Sequence, residues 1–193
     1  AVDESGRAVQ GMRTIVYLQP GERRSCTGCH EPPGAAPASR PVIAFRRSAS
    51  SLRPGPDGSH PFGYPRLIQP LLDRHCVRCH DGSTGPDKSA LALTGGPASE
   101  SPFSVSYENL KSFLRWPSYD APASRPGQAG ADISPLSALL VGEKHRQYVS
   151  VPDEDLRVFY LWLDAQVPFF GTYEEEDLAA QKIARSIAPP PLQ

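Results

Sequence analysis

Two short runs in this 193-residue chain bring chemically active side chains together: Cys26-Thr27-Gly28-Cys29-His30 and Cys76-Val77-Arg78-Cys79-His80. All four cysteines lie in these two CxxCH runs. Two thiols three residues apart can reach the two vinyl groups on one edge of a porphyrin and form thioethers. The histidine that follows then offers a nitrogen to the iron, which is the c-type haem attachment pattern. Three other uses of cysteine compete. A zinc ribbon also uses two CxxC pairs, but they are typically about 15–20 residues apart, whereas 46 residues separate Cys29 from Cys76. A disulfide framework has no need of a histidine after each pair, and a thioredoxin-like site uses one CxxC. The expectation is two covalently bound haem c groups. One sits on Cys26 and Cys29 with His30 as proximal iron ligand, the other on Cys76 and Cys79 with His80. Thioether attachment in bacteria takes place outside the cytoplasm, so the expected location is extracytoplasmic: periplasmic, paryphoplasmic or secreted.

The sixth position of each iron is less constrained. Three histidines remain, His60, His75 and His145, with the sole methionine, Met12. His145 stands 65 residues after His80, in Gly142-Glu143-Lys144-His145 between two expected helices. A loop crossing the far face of the second haem is where a distal ligand belongs, so His145 is the candidate there, against the alternative of a solvated loop residue. His75 directly precedes Cys76, where side chains usually run along the haem edge. For the first haem His60, in Gly58-Ser59-His60-Pro61, and Met12 are candidates, and an open iron is the alternative. Two strong ligands on an iron suit electron transfer; an open position suits binding or catalysis.

Helices must carry these groups. Leu67, Ile68, Leu71 and Leu72 give an apolar set to a helix that starts between Pro65 and Pro70 and runs into Cys76, Pro70 being tolerated in a first turn. Tyr107, Leu110, Phe113 and Leu114 fall at helical spacing over 107–116. Ser134-Pro135 reads as an N-cap followed by proline at the first helical position, opening a helix to Val141. Pro152-Asp153-Glu154-Asp155 is an acidic first turn, leading into Leu156, Phe159, Tyr160 and Leu163 at i, i+3, i+4, i+7. Trp162 falls in that helix, which is expected to cross the haem-bearing one. Residues 174–187 suit one more helix. Before the first motif, Thr14 to Leu18 reads as a short strand closed by Pro20-Gly21, and the prolines after His30 exclude a helix there. The fold class is therefore mainly α with long irregular loops, cytochrome c-like helices packing around two haems. Residues 1–62 form a loop-rich first haem segment and 63–193 a cytochrome c-like second domain.

Composition agrees with a loop-rich globular chain. It holds 22 Pro and 16 Gly, is 39% hydrophobic and carries a formal charge of −1. That charge gives no global field for nucleic acid or an anionic membrane, and no stretch approaches the ~18 apolar residues of a membrane span. Sixteen of the 20 basic residues are arginine, whose planar fork suits carboxylates such as haem propionates. Asp3-Glu4-Ser5-Gly6 reads as a turn between elements, so the chain is expected to be part of something longer.

Several stretches resemble the dihaem C-terminal domain of hydrazine synthase alpha subunits and related planctomycete-type proteins. They are Gly11-Met12-Arg13, Pro20-Gly21-Glu22, Cys26 to Glu31, Tyr64 to His80, and Leu161-Trp162-Leu163-Asp164 to Gly171-Thr172-Tyr173. The resemblance implies a dihaem fold in which one haem does chemistry and the other passes electrons. In that family a tyrosine shortly after the first motif ligates iron; here the place is Glu31-Pro32-Pro33-Gly34, so the dihaem fold and electron transfer are what carry over. The leading expectation is a dihaem cytochrome passing single electrons to a redox partner protein or subunit. The alternatives are a haem enzyme or small-ligand site at a five-coordinate first iron, hydrazine synthase-like or peroxidase-like, and a structural module that uses haems as staples.

Overall fold

The computed structural model describes residues 1–11, 19, 22, 34, 46–48, 60–86, 90–117 and 125–188. Ala1–Gly11 and Pro54–Gln193 form one compact unit, and Met12–Arg53 another. The first eleven residues thus pack with the second half of the chain, not with the segment that follows them. In the smaller unit, Gln19 and Glu22 bracket Pro20-Gly21 and close on each other: the Glu22 N–H donates to the Gln19 carbonyl at 2.9 Å. The expected strand over 14–18 lies outside the described residues, as do Cys26, Cys29, His30 and Met12.

The larger unit is mainly helical, and its described pairing is limited to isolated β-bridges. Two short helices open it, α1 (Tyr64–Leu67) and α2 (Gln69–His75). The break between them has a cause in sequence. Pro70 removes one intrahelical N–H and its ring would clash with the carbonyl four residues back, so one continuous helix through Ile68 is blocked. Helix α3 (Val105–Leu110) continues as a 3-10 turn, Lys111–Phe113. It begins earlier than the apolar spacing suggested, because Ser104 caps it by accepting the Tyr107 N–H at 3.3 Å. There follow α4 (Gly130–Ile133), α5 (Pro135–Val141), α6 (Glu143–Arg146), α7 (Asp153–Asp164) and α8 (Glu175–Lys182). Helix α5 spans the expected residues, yet Ser134 does not cap it. Its hydroxyl accepts the Arg115 N–H at 2.9 Å and donates to the Arg115 carbonyl at 3.0 Å.

The core is aromatic. Tyr64, Phe159 and Trp162 are fully buried, and Leu156, Tyr160 and Leu163 line the same face of α7, as their spacing required. Tyr64 sits between Tyr107, Trp162 and Phe169 at centroid distances of 5.1, 5.3 and 5.5 Å. Buried Tyr and Trp need partners for their polar tips, and all three have them. Tyr64 donates to Ser106, Tyr107 to the Val167 carbonyl and Trp162 to the Pro168 carbonyl. These contacts set Trp162 of α7 against Tyr64 of α1. No helix among the described residues is long and apolar enough to cross a membrane.

Candidate functional site

Helix α2 ends at His75, and the chain continues through Cys76, Val77, Arg78 and Cys79 as one further turn. The N–H groups of Cys79 and His80 both donate to the Cys76 carbonyl, at 3.0 and 2.9 Å. His80 is fixed from its other side as well, its carbonyl accepting the Leu93 N–H at 2.7 Å. The second CxxCH run is therefore a preset turn on the end of a packed helix.

Cys76 and Cys79 are free thiols. Burial, with a smaller contribution from Cys79, pushes the Cys76 thiol up to about 11. A thiol serving as a redox nucleophile needs the opposite shift, toward the thiolate. Cys76 thus lacks the electrostatics of a redox nucleophile.

Across from this turn stands α6, a single helical turn that carries His145. The two elements enclose a cavity of about 320 Å³, lined by His75, Cys76, Cys79, His80 and His145 with Arg74, Arg78, Tyr148, Val149 and Ser150. Such a volume falls in the roughly 300–1,000 Å³ range of cofactor and ligand pockets. The ring centroids of His80 and His145 lie 6.2 Å apart, with the planes at 68° in an edge arrangement. Nδ1 of His145 is engaged with the Leu139 carbonyl at 3.1 Å, which leaves Nε2 for another partner. Nδ1 of His80 is buried and makes no hydrogen bond. Desolvation, and after it the neighbouring His145, lower the pKa of His80, while the Leu91 carbonyl acts in the other direction. A neutral imidazole is the form that donates a lone pair to a metal.

The remaining sequence candidates have partners of their own. His75 lies on the cavity wall, but its Nε2–H donates to Oδ2 of Asp155 at 2.7 Å, and Arg74 reaches the same oxygen at 3.2 Å. His60 places Nδ1 against the Ile187 carbonyl at 3.2 Å. It belongs to the larger unit, whereas the first motif and Met12 lie outside the described residues. Spacing alone did not signal the Asp155 partnership, because it joins residues 80 positions apart. Among the described residues no group of three or more His, Cys, Asp or Glu is placed to hold a metal ion by itself. Two histidines and two thiols around a slot suit instead an iron that brings its own equatorial ligands.

Comparison with known proteins yields one family. Residues 1–31 match the model of the hydrazine synthase alpha subunit middle domain. The matched stretch contains the first CxxCH run and ends at Glu31. It relates the chain to hydrazine synthase over that stretch. The broader resemblance, to a C-terminal dihaem domain over most of the chain, is narrowed accordingly: the match is to the middle domain and stops before the second motif. No curated protein and no solved structure matches the chain.

Proposed function

We propose that this chain is a c-type cytochrome segment that holds haem on Cys76 and Cys79 with His80 and His145 as axial ligands, and passes single electrons to a redox partner. The observation that carries the reading is the spacing of the two histidines. Two imidazoles bound to one metal from opposite sides, each nitrogen about 2.0–2.1 Å away, have centroids about 6.3 Å apart. His80 and His145 stand at 6.2 Å, and both cysteines line the same cavity. A porphyrin seated there would supply the one-electron couple. The protein's part is to fix both imidazoles, to turn His145 through its Leu139 hydrogen bond, and to wall off the thioether edge with α2. A carbonyl that accepts the other ring N–H of a ligating histidine sets its tautomer and orientation, and the Leu139 carbonyl would supply that contact. Two strong ligands on that iron would suit it to electron transfer. By the same sequence pattern the first motif carries a second haem c, in the segment that resembles a hydrazine synthase alpha subunit. The chain is then the electron-handling part of a larger extracytoplasmic redox protein or assembly.

The test is direct. Protein made in a host with c-type maturation machinery should retain its colour through acid–acetone extraction and show the mass of two haems per chain. His145→Ala should turn one haem high-spin and leave the other unchanged. A chain without haem on the peptide containing Cys76 and Cys79, or a His145→Ala variant with unaltered spectra, refutes the assignment.

A further inference from the structure

The two histidines stand on different kinds of support. His80 belongs to a turn closed by two hydrogen bonds to the Cys76 carbonyl and a third to Leu93, on the end of a packed helix. His145 belongs to a helix of four residues that starts directly after Gly142. Its backbone is hydrogen-bonded to Gly142, Tyr148 and Val149, so its freedom is that of the side chain, whose ring is engaged with the Leu139 carbonyl. A second space adjoins His145. A largely apolar, open depression of about 550 Å³, lined by Ala138, Leu139, Gly142, Glu143, Lys144 and Tyr148, has His145 on its wall. His145 and Tyr148 thus stand between this depression and the cavity that holds His80. The floor of the depression is exposed hydrocarbon: Leu139 is 44% and Tyr148 66% exposed. An imidazole turned away from the cavity would cover apolar surface there.

From this arrangement we infer that His145 is a releasable ligand, which swings into the depression beside α5 and yields its place on ferrous iron to a small neutral diatomic molecule. The inference rests on reading the second motif as a bis-histidine haem site. The exchange breaks the bond from Nε2 of His145 and forms one from the lone pair of the incoming molecule; no electron or proton changes hands and the iron stays ferrous. Size follows from the space: Tyr148 and Val149 wall the cavity beside His145, so the incoming group can fill little more than the volume an imidazole leaves.

Carbon monoxide, mixed rapidly with the dithionite-reduced holoprotein, is the probe. The second haem is identified as the part of the Soret band that His145→Ala converts to high-spin. For that haem the observed rate should rise with carbon monoxide concentration and then level off, the plateau reporting the release of His145. In His145→Ala the plateau should vanish and the rate rise at least tenfold. Ala138→Phe, on an exposed position, fills the depression; it should lower the plateau several-fold while the low-spin spectrum without carbon monoxide is unchanged. A low-spin second haem that never takes up carbon monoxide, or a plateau indifferent to Ala138→Phe, overturns the inference and leaves the bis-histidine assignment standing. A wild-type rate that is linear at all concentrations means the iron was open from the start, and then the ligand assignment itself falls.

Discussion

Asp155, in the first turn of α7, accepts a 2.7 Å hydrogen bond from His75, the last residue of α2. Both side chains are close to nine-tenths buried, at 12% and 11% exposure. The contact pins the end of the helix that carries Cys76 to the start of the helix that carries the aromatic core. Asp155→Ala removes the acceptor and strands a buried ring N–H, at a cost of about 1–3 kcal/mol. Asp155→Asn keeps an acceptor oxygen and should cost less. Thermal melts rank the two. Because His75 is hydrogen-bonded to Asp155, His75→Ala should lower the melting temperature and, if haem is bound as proposed, leave its spectrum unchanged. A high-spin haem in that variant would make His75 an iron ligand.

Helices α7 and α8 both end with a residue in the left-handed region that is not glycine, Gln166 at φ 66° and Ala184 at φ 59°. Each end closes with the same pair of bonds. Val167 and Gln166 donate to the carbonyls of Trp162 and Leu163; Arg185 and Ala184 donate to those of Ala180 and Gln181. This is the Schellman ending, where glycine is the usual occupant because a side chain there costs about 1–2 kcal/mol. Ala184→Gly relieves that cost and gives back part of it as chain entropy. The expected outcome is a net stabilisation of up to about 1 kcal/mol, read from urea denaturation midpoints with an unchanged m-value.

These ends show where sequence stops being informative. Helix α5 was legible from Ser134-Pro135 because proline at a first helical position is a local rule, and α7 because four apolar residues at helical spacing need a partner. The ends of α7 and α8 were not, since Gln166 and Ala184 carry no terminator signal. Helix α1, with the central core residue Tyr64, escaped notice because one turn holds too few residues to show a period. The Cys76–His80 turn and His145 could be chosen from residue chemistry. The residues that orient them, Leu139 and Asp155, act through a carbonyl and a pairing distant in sequence, and neither leaves a pattern in the chain.

Gly130, at the start of α4, lies directly against the backbone of Leu163 on α7. A Cβ at this position would run into the Leu163 carbonyl, which is backbone and cannot give way as a side-chain end would. Gly130→Ala should therefore push α4 off α7 at a cost of about 1–3 kcal/mol, the usual range for overpacking. Alanine is otherwise the better helix former, so a neutral or stabilising result would show that the two helices do not meet at this point.

Asp164, at the last turn of α7, joins two distant stretches of chain. One carboxylate oxygen accepts the Ala8 N–H and the other the Ala131 N–H, each at 2.7 Å. Asp164→Ala leaves two partly buried donors without their acceptor, a loss of about 1–3 kcal/mol for each that stays dry. Loosening Ala1–Gly11 should make it the first site of proteolytic cleavage. The pH dependence has a definite sign. Burial raises the Asp164 pKa and outweighs the two N–H donors, which lower it. A raised carboxyl pKa means that the folded chain binds the proton more tightly than the unfolded one. Its contribution to stability is then greatest below the unfolded value of about 3.9 and declines as pH rises through the folded pKa. The stability gap between the wild type and Asp164→Ala should accordingly be widest in acid and narrow toward neutrality. Urea midpoints measured from about pH 3 to pH 7 decide it: a gap that widens with pH would mean that the two N–H donors, and not burial, set the proton affinity of this carboxylate.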